Sequence, residues 1–522
     1  MIPLATLKRT VQEGLAYLHA QPDVQEAEVF AASNGALFAR LNYTSHLPCN
    51  GVEEPKSQES YGVAVRILFR GEGGLRYGAG SEPSDLSLEG VKRALQKARR
   101  AAVLDPDRTS LPRPTGERRR LRRYHDPLVM RMRDDDLVRV GWTAVEGALG
   151  AFQSAEDLVS LVERPDQLPR LGLILGGDVT VLQERIAVGS THIPVDTDQS
   201  TLVMAFLTSM VEARVSKGSA WMVGTRLTDF SPEPGAECAR NAVRAMDGVR
   251  VPDGEYACVL GPQAVTDLLN HIILPSLNLG VFYAGASAFQ GKMLQPIASP
   301  LLDMWDDGAA PGLAGSKGIT CEGLPTGRTD LVRQGRLVGL LTDYYRSQQI
   351  LRDPQARAKL GVDPAQVRDG LVPRNGFRFF FGGGRHPEAP VGIFGTNVII
   401  STSQPCTHEE LLRRVGNGLY IGRIWYTYPI NGLAAGDFTC TIVGDSYLIK
   451  DGRLDKPIKP NTVRINDSIH RVLRGIIGIG DKPRGTLVWA ADSIMYVPEV
   501  AVQRLQVREI AGFIETVYPT RE

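Results

Sequence analysis

The stretch Tyr447-Leu-Ile-Lys-Asp-Gly-Arg-Leu454 predicts a β-hairpin in the second half of a sequence of 522 residues. Its central Asp451-Gly452 pair suits a two-residue turn, because both turn residues must adopt a positive φ. The segment Val332-Arg-Gln-Gly-Arg-Leu-Val-Gly339 predicts a second hairpin. Short alternating segments of this kind, divided by turns, predict a mostly antiparallel β domain with a few helices over residues 254–522.

The first half of the sequence shows helical and strand periodicities in turn. Apolar residues recur at helical spacing from Leu4 to Leu18, and Ser87 suits the N-cap of a second helix. Further helices are expected over residues 134–152 and 236–246. Strands are expected over residues 27–32, 62–69 with a hairpin turn at 71–74, 171–175, 178–182 and 201–206.

These patterns predict an α+β fold of two domains, since a chain of this length exceeds what one small core can organise. The N-terminal domain, residues 1–253, is expected to be an α/β layer with helices on a β-sheet. The C-terminal domain, residues 254–522, is expected to be β-rich. The turn Val251-Pro-Asp-Gly254 is the predicted boundary.

The composition argues against several classes of protein. Lys and Arg number 59 against 58 Asp and Glu, a net charge of +1, which gives no reason to expect nucleic acid as a partner. The sequence has no run of eighteen apolar residues that could span a membrane, and its first residues lack the apolar core of a signal peptide. The six cysteines show no CxxC pair, so we expect reduced thiols and a cytoplasmic protein.

An arginine- and proline-rich segment at residues 105–126 is expected to be an exposed excursion rather than packed structure. Its residues Arg118, Arg119 and Arg120 are candidate contacts for a peptide or a partner protein, since guanidinium groups bind acidic groups well. A solvated surface loop and a nucleic-acid contact stay open as the other interpretations of this cluster.

No histidine pair has the spacing of a zinc peptidase. Two ligands on one helix face must lie about a turn apart, and a carboxylate must activate the metal-bound water. The eight histidines are all more than ten residues apart. His408-Glu-Glu resembles half of such a motif, but Leu412 stands where the second histidine would be. Thr407 and Glu410 instead predict a capping box that begins a short helix.

Other catalytic motifs are incomplete. Gly285-Ala-Ser-Ala-Phe289 lacks the final glycine of a nucleophile elbow, and Gly382-Gly-Gly384 lacks the Lys-Ser/Thr of a phosphate loop. A serine or cysteine triad assembled from distant parts of the chain stays open. The residues alone thus indicate a two-domain protein without an evident catalytic constellation.

Longer stretches of the sequence resemble the TldD/PmbA family. They are Gly285–Lys292, Ile297–Gly308, Cys321–Thr329, Gly436–Gly452 and, in the first half, Tyr61–Pro106. The resemblance implies a two-domain subunit that pairs with another to enclose a chamber. In TldD-type members a helix with His-Glu, three residues and His, together with a later cysteine, holds the metal, and the enzyme cleaves unfolded or small peptides. PmbA-type members lack these ligands and serve as the partner subunit.

The metal motif falls on substituted positions in this sequence. Its first histidine corresponds to Asn270, its glutamate to His271 and its second histidine to Pro275, while the cysteine region corresponds to residues 490–492. No cysteine follows Cys440. Proline offers no ligand and is expected to break the helix geometry that two ligands would need, and an amide is a poor zinc ligand.

The apolar residues Ile272, Ile273 and Leu274 of the same segment suggest ordinary packing. His271 is therefore expected to be a hydrogen-bonded interior or interface histidine, and it is a candidate contact for a peptide or a partner.

The resemblance therefore implies a non-catalytic, PmbA/TldE-like subunit in a heterodimer with a TldD-like zinc metallopeptidase, active in proteolysis or peptide maturation. It implies no cofactor in this chain and zinc in the partner; a homodimer is the alternative assembly. A self-sufficient metallopeptidase using His271, His192 or aspartates is a second hypothesis. A regulator associated with gyrase or nucleic acid is a third. The segments 105–126 and 351–384 are longer than the family resemblance leads us to expect, which suggests a specialised subgroup.

Overall fold

The computed structural model of the chain describes residues 1–48, 51–122, 124–380, 384–488 and 493–510. Within these ranges, eight strands of the first half form one antiparallel sheet. The strands are β1 (Val24–Thr44), β2 (Gly51–Val52), β3 (Lys56–Gly71), β4 (Gly74–Pro83), β5 (Val103–Leu104), β6 (Leu173–Ser190), β7 (Asp196–Val211) and β8 (Ser216–Gly224). Their order is β5-β4-β3-β1-β6-β7-β8, with β2 added to β1.

The helices of the first half cover one face of this sheet. They are α1 (Leu4–His19), α2 (Leu88–Arg100), α3 (Asp134–Ser154), α4 (Glu156–Val159) and α5 (Glu233–Arg244), with 3₁₀ turns at Val129–Arg131, Pro165–Leu171, Glu212–Arg214 and Leu227–Asp229. Side chains alternate between the faces of a strand. Val29 of β1 accordingly packs against α1 and α2, and Leu41, which has the same parity, packs beside α3.

The opposite face of the sheet packs against the second half of the chain. Phe30 of β1 packs with Ile319 and Phe377, and Leu182 of β6 packs with Ile494. Burial on both faces explains why β1 is almost continuously buried rather than alternating.

The second half contains two larger sheets and a short strand pair. Its strands are β9 (Gly254–Leu260), β10 (Asp303–Asp307), β11 (Arg328–Arg333), β12 (Arg336–Leu337), β13 (Gly376–Phe377), β14 (Gly392–Ile393), β15 (Asn397–Ser401), β16 (Gly418–Pro429), β17 (Asp437–Lys450), β18 (Arg453–Pro457), β19 (Val463–Ser468), β20 (Ile476–Ile479), β21 (Arg484–Thr486), β22 (Ile494–Val497) and β23 (Val500–Glu509). Strands β16, β9, β23, β19 and β17 close into a barrel, because β17 also pairs with β16. The other large sheet has the order β12-β11-β10-β15-β22-β21.

Short helices connect these strands. They are α6 (Pro262–Leu268), a π turn (Leu269–Ile273), α7 (Leu274–Ser276), α8 (Leu279–Tyr283), α9 (Tyr344–Arg352), α10 (Ala356–Leu360), α11 (His408–Val415) and α12 (Ile469–Arg474), with 3₁₀ turns at Pro364–Leu371 and Leu433–Ala435. The predicted segment 351–384 contains α10 and the first of these 3₁₀ turns. None of the helices in the described ranges is long and apolar enough to cross a membrane.

The predicted fold class is confirmed, as are both hairpins and the capping box. Gln334 and Gly335 have φ of 47° and 74°, and Asp451 and Gly452 have φ of 50° and 72°, as two-residue turns require. The side chain of Thr407 accepts from Glu410 N at the start of α11. The antiparallel pattern has two exceptions, since β9–β16 and β15–β22 are parallel pairs.

One strand prediction was wrong. Residues 173–175 and 178–182 are parts of a single strand, β6, which continues through Gly176-Gly177, while Leu171 ends the preceding 3₁₀ turn. Gly177 has φ of 137°, and a Cβ there would lie 2.2 Å from the carbonyl oxygen of Phe206. The glycine therefore permits close pairing with β7 instead of ending the strand. The predicted domain boundary stays a prediction; in the described residues, no sheet combines strands from both sides of Val251–Gly254.

Candidate functional site

The helix that carries Asn270, His271 and Pro275 runs without interruption from Pro262 to Ser276. Pro275 does not end the helix, but residues 269–273 before it do not keep α-helical geometry. A proline in a helix lacks an N–H group and crowds the carbonyl of the residue four positions earlier. Here the preceding turn is widened into a π turn, in which Leu274 N donates to Leu269 O, so the proline is accommodated.

The apolar residues of this helix belong to the core of the second half. Leu269 and Ile272 are fully buried, and Ile273 and Leu274 are nearly so, among residues of the barrel and the neighbouring sheet. The predicted packing role of residues 272–274 is therefore confirmed. Asn270, His271 and Pro275 are each half-buried.

His271 is bound to its own helix. Its Nδ1 lies 2.9 Å from the carbonyl oxygen of Asp267 and 3.3 Å from Asp267 Oδ1. Burial lowers the pKa of His271, but the hydrogen bonds and the charge of Asp267 outweigh it, so that the pKa lies above its ordinary value. Because a carbonyl oxygen accepts, Nδ1 carries the proton. Only Nε2 is left as a ligand atom.

Polar contacts hold the helix against the barrel and the adjacent sheet. Gln263 donates to Asp267 Oδ2 over 3.3 Å and accepts from Ile424 N of β16 over 3.1 Å. The hydroxyl of Thr266 bonds to that of Thr486 in β21. In the sequence, Thr486 lies four positions before Ala490, the first residue of the predicted cysteine region. Residues 490–492 themselves lie outside the described residues.

The three motif positions do not fit zinc. Protein zinc sites use at least three strong ligands, commonly imidazole, thiolate or carboxylate. Here an amide, one imidazole nitrogen and a proline stand in their place. Within the described ranges, moreover, no three His, Cys, Asp or Glu side chains are grouped so that they could hold a metal ion. Burial also raises the pKa of Cys440, the last cysteine of the chain, well above its ordinary value, which disfavours the thiolate.

The other histidine candidates are engaged elsewhere. His192 Nε2 lies 2.8 Å from Glu26 Oε1, on the sheet of the first half. His408 Nδ1 lies 2.8 Å from Glu499 Oε2, and this contact raises the pKa of the imidazole. The structure therefore does not bring His192 or His408 into a ligand set with His271 in the part of the chain it describes.

The arginine-rich segment is not the exposed excursion that its composition predicted. The Arg119 side chain is only 7% exposed; its NH1 lies 3.0 Å from Asp196 Oδ2 and its NH2 lies 2.7 Å from Asp198 Oδ1. Arg118 and Arg120 are exposed, as expected. The segment differs from the prediction because its partners on β7 are about 80 residues away in sequence and cannot be seen from local composition.

The same segment connects the two halves of the chain. Leu111 is fully buried and its N–H donates to Glu26, while Glu117 pairs with Arg374. Asp107 accepts from Gln349 of α9 over 2.6 Å. A contact of Arg118, Arg119 or Arg120 with a peptide or partner stays a prediction; for Arg119 the guanidinium is already in use.

A buried ionic cluster, made of Glu184, Asp198, Lys317 and Arg385, lies where the sheet meets the second half. Arg385 NH1 lies 3.0 Å from Asp198 Oδ2, its Nε lies 3.3 Å from Glu184 Oε1, and Lys317 also pairs with Glu184. Burial raises the pKa of Glu184, but the charges of Lys317 and Arg385 lower it far more, so the carboxylate stays ionised.

Ser200 is the hydroxyl within this cluster. It donates to Glu184 and accepts from Lys317 over 3.0 Å. A serine and a lysine so close could suggest nucleophilic catalysis, which needs a neutral base. Lys317 is paired with a carboxylate and therefore charged, so it cannot take that proton. Sequence analysis missed this cluster; the local signal is the unbroken polar run Asp196-Thr-Asp-Gln-Ser-Thr201, which does not single out the buried members.

Comparison with known proteins supports the family resemblance for the second half of the chain. Residues 253–509 match the model of the PmbA/TldA metallopeptidase C-terminal domain. A metalloprotease of Synechocystis is 25% identical over 47% of this chain and 46% of its own length. A metalloprotease TldD homologue of Haemophilus influenzae is 26% identical over 47% of this chain and 45% of its own length. The chain thus spans about half the length of the curated relatives it matches.

Solved structures share the fold over nearly the whole chain. TldE from Thermococcus kodakarensis superposes with a TM-score of 0.73 at 17% identity, covering 96% of this chain and 100% of that one. A protein described as a modulator of DNA gyrase, from Bacteroides thetaiotaomicron, superposes with a TM-score of 0.70 at 17% identity, covering 96% and 99%. Residues 253–509 thus match the C-terminal domain of the TldD/PmbA family, and the chain as a whole shares the fold of the solved structures.

Proposed function

We propose that the chain is a non-catalytic, TldE-like subunit that pairs with a TldD-like zinc metallopeptidase in a cytoplasmic peptide-processing complex. The observation that carries this proposal is the replacement of all three motif positions by Asn270, His271 and Pro275 on an otherwise intact helix. In this complex the partner holds the zinc and hydrolyses the peptide bond. This chain contributes part of the chamber that holds the peptide.

The chemistry of the three positions supports a non-catalytic role. Peptide hydrolysis at zinc requires a metal held by three protein ligands and a base for the bound water. His271 offers one nitrogen, and it stands where the base would be. Its position on the helix is fixed by Asp267 rather than by a metal. The helix contributes to the core instead, through Leu269 and Ile272.

Co-expression with a TldD-like chain that has the intact His-Glu, three-residue, His motif tests the proposal. We expect a stable complex that cleaves an unstructured peptide, loses activity with a chelator and regains it with zinc. Neither chain alone should reach the activity of the complex.

Two matched variants separate the roles of the subunits. Replacing the first motif histidine of the partner should leave the complex intact and abolish cleavage. His271→Ala in this chain should leave both intact. Chelator-sensitive cleavage by this chain alone, or loss of catalysis in His271→Ala without loss of the complex, would contradict the proposal. A stable homodimer that does not bind the TldD-like chain would contradict the heterodimer.

A further inference from the structure

A cleft of about 540 Å³ lies between the two halves of the chain, away from the Asn270–Pro275 segment. The first half contributes residues of β8 and α5, including Ser219 and Trp221. The second half contributes residues of α11, β16 and β17, including Tyr420 and Tyr447. A cleft between two packed units with convergent polar groups is a common place for a ligand site.

Asp445 is fixed at this cleft by the first half of the chain. Ser219 donates to it twice, from its N–H over 3.1 Å and from its hydroxyl. Asp445 has φ of 50° inside β17, in the left-handed region that few non-glycine residues adopt. Desolvation raises the pKa of Asp445 to about 6, although Ser219 and the charge of Arg423 lower it, so a further cation beside it would stabilise its charged form.

The cleft has an excess of negative charge. Two more carboxylates than guanidinium groups line it, namely Asp157, Glu237, Asp445 and Asp455 against Arg244 and Arg484. Arg484 and Glu237 neutralise each other through two hydrogen bonds of 2.5 and 2.6 Å, which leaves Asp157, Asp445 and Asp455 against Arg244. His408 also lines the cleft, and Glu499 balances its charge. The lining therefore favours a cationic ligand.

Aromatic rings line the same cleft as the Asp445 carboxylate. Tyr420 and Tyr447 are cross-strand partners on β16 and β17, and their ring centroids are 6.3 Å apart. Burial raises the pKa of both phenols; Glu499, which accepts a hydrogen bond from Tyr420, raises that of Tyr420 further, and the charge of Asp445 raises that of Tyr447. A carboxylate beside aromatic faces is the usual surrounding of a bound ammonium group.

Trp221 provides an independent sign of a ligand. This residue is only 7% exposed, and its Nε1 is buried without a hydrogen-bond acceptor among the described residues. Arg484 stacks on its ring at 4.8 Å and donates to its carbonyl oxygen, so the ring is held in place. A buried indole N–H without an acceptor is unfavourable by the free energy of a lost hydrogen bond. A ligand oxygen in the cleft would remove that penalty.

We propose that this cleft binds a primary ammonium group, with Asp445 as counter-ion, Tyr420 and Tyr447 as aromatic walls, and Trp221 Nε1 as donor to a neighbouring carbonyl oxygen. An amino-terminal residue of a peptide carries an ammonium and a carbonyl group side by side, whereas an alkyl diamine carries only the first. The site needs neither zinc nor a partner subunit, so it goes beyond the proposed function.

Calorimetric titration of the full chain with three probes tests the proposal. The probes are trialanine, N-acetyl-trialanine and 1,4-diaminobutane. We expect trialanine to bind, and N-acetylation to weaken binding at least about tenfold because it removes the ammonium charge. Binding of N-acetyl-trialanine as tight as that of trialanine would overturn the proposal, and so would failure of both trialanine and the diamine to bind.

Variants assign the contact to individual residues. Asp445→Asn keeps an acceptor for Ser219 and tolerates the left-handed backbone; it should weaken trialanine at least about tenfold. Asp451→Asn is the matched control, since Asp451 has the same φ of 50° but lies in an exposed hairpin turn. It should bind like the parent chain. Tyr447→Leu removes an aromatic wall without touching the Asp445–Ser219 contact and should also weaken binding.

Trp221→Phe distinguishes the two sources of the ammonium group. It should weaken trialanine about tenfold, by one hydrogen bond, and leave the affinity for 1,4-diaminobutane unchanged. Unaltered trialanine binding in both Trp221→Phe and Asp445→Asn would overturn the site. None of these outcomes depends on cleavage by the proposed complex, so failure here leaves the proposed function untouched.

Discussion

The motif helix, residues 262–276, and the buried ionic cluster of Glu184, Asp198, Lys317 and Arg385 use polar groups in opposite ways. On the helix, the positions where the family places metal ligands hold an amide, one imidazole and a proline, and the neighbouring side chains are core. In the cluster, four charged side chains are nearly or fully buried and paired with one another. The buried charges of this cluster connect the two halves of the chain, because Glu184 and Asp198 belong to the first half and Lys317 and Arg385 to the second.

Arg385→Met should have the largest effect on stability. Arg385 is fully buried, and its removal leaves the carboxylates of Glu184 and Asp198 short of a cation. Breaking a buried ion pair from one side lowers the free energy of unfolding by about 3–5 kcal/mol. Urea denaturation followed by circular dichroism measures it. Arg120→Met at an exposed position is the control and should change stability by less than about 0.5 kcal/mol. Equal effects of the two would show that the cluster does not join the halves.

Leu269→Ala tests whether the motif helix, residues 262–276, is part of the hydrophobic core. Leu269 is fully buried at the π turn, so its truncation leaves a cavity and should lower the free energy of unfolding by about 2–5 kcal/mol. The same denaturation experiment applies, with Leu47→Ala as control because Leu47 is 60% exposed. A change below about 0.5 kcal/mol would mean that the helix is not part of the core.

Arg119→Ala and Arg118→Ala compare neighbouring arginines in the segment that sequence analysis expected to be exposed. Arg119 bonds to Asp196 and Asp198, so its loss should lower the free energy of unfolding by about 1.5–3 kcal/mol. Arg118 is exposed, and its loss should have little effect. Thermal unfolding of both variants measures the loss of stability. A larger loss in Arg118→Ala than in Arg119→Ala would contradict the conclusion that Arg119 is the buried, paired arginine.

His271→Asn should have the smallest effect, and that effect should depend on pH. Because Asp267 raises the pKa of His271 above its ordinary value of 6.5, protonation stabilises the folded state. The contribution is complete below pH 6.5 and is lost as the pH rises through the raised pKa. The free energy of unfolding of the parent chain should therefore exceed that of His271→Asn most at low pH. This difference should become smaller as the pH rises above neutrality. In an Asp267→Asn background, the difference in free energy of unfolding should not depend on pH in this way, because the charge that raises the pKa of His271 is gone.

Local chemistry decided which features could be predicted from the sequence. The turns at Gln334-Gly335 and Asp451-Gly452 and the capping box at Thr407 depend on residues within a few positions, and the structure has them as expected. The long-range features could not be predicted. The partners of Arg119 on β7, and those of Arg385, are set by the packing of the two halves. The absence of ligands at Asn270 and Pro275 was evident from the sequence, whereas the π turn that keeps the helix intact depends on the core around it.

The zinc content of the isolated full chain tests the central claim most directly. The chain and a TldD-like partner would be purified separately without chelator and measured by plasma mass spectrometry. We predict zinc far below one ion per chain here and close to one per chain in the partner. One zinc ion bound per isolated chain, and lost in His271→Asn, would contradict the claim that this subunit is not the catalytic one.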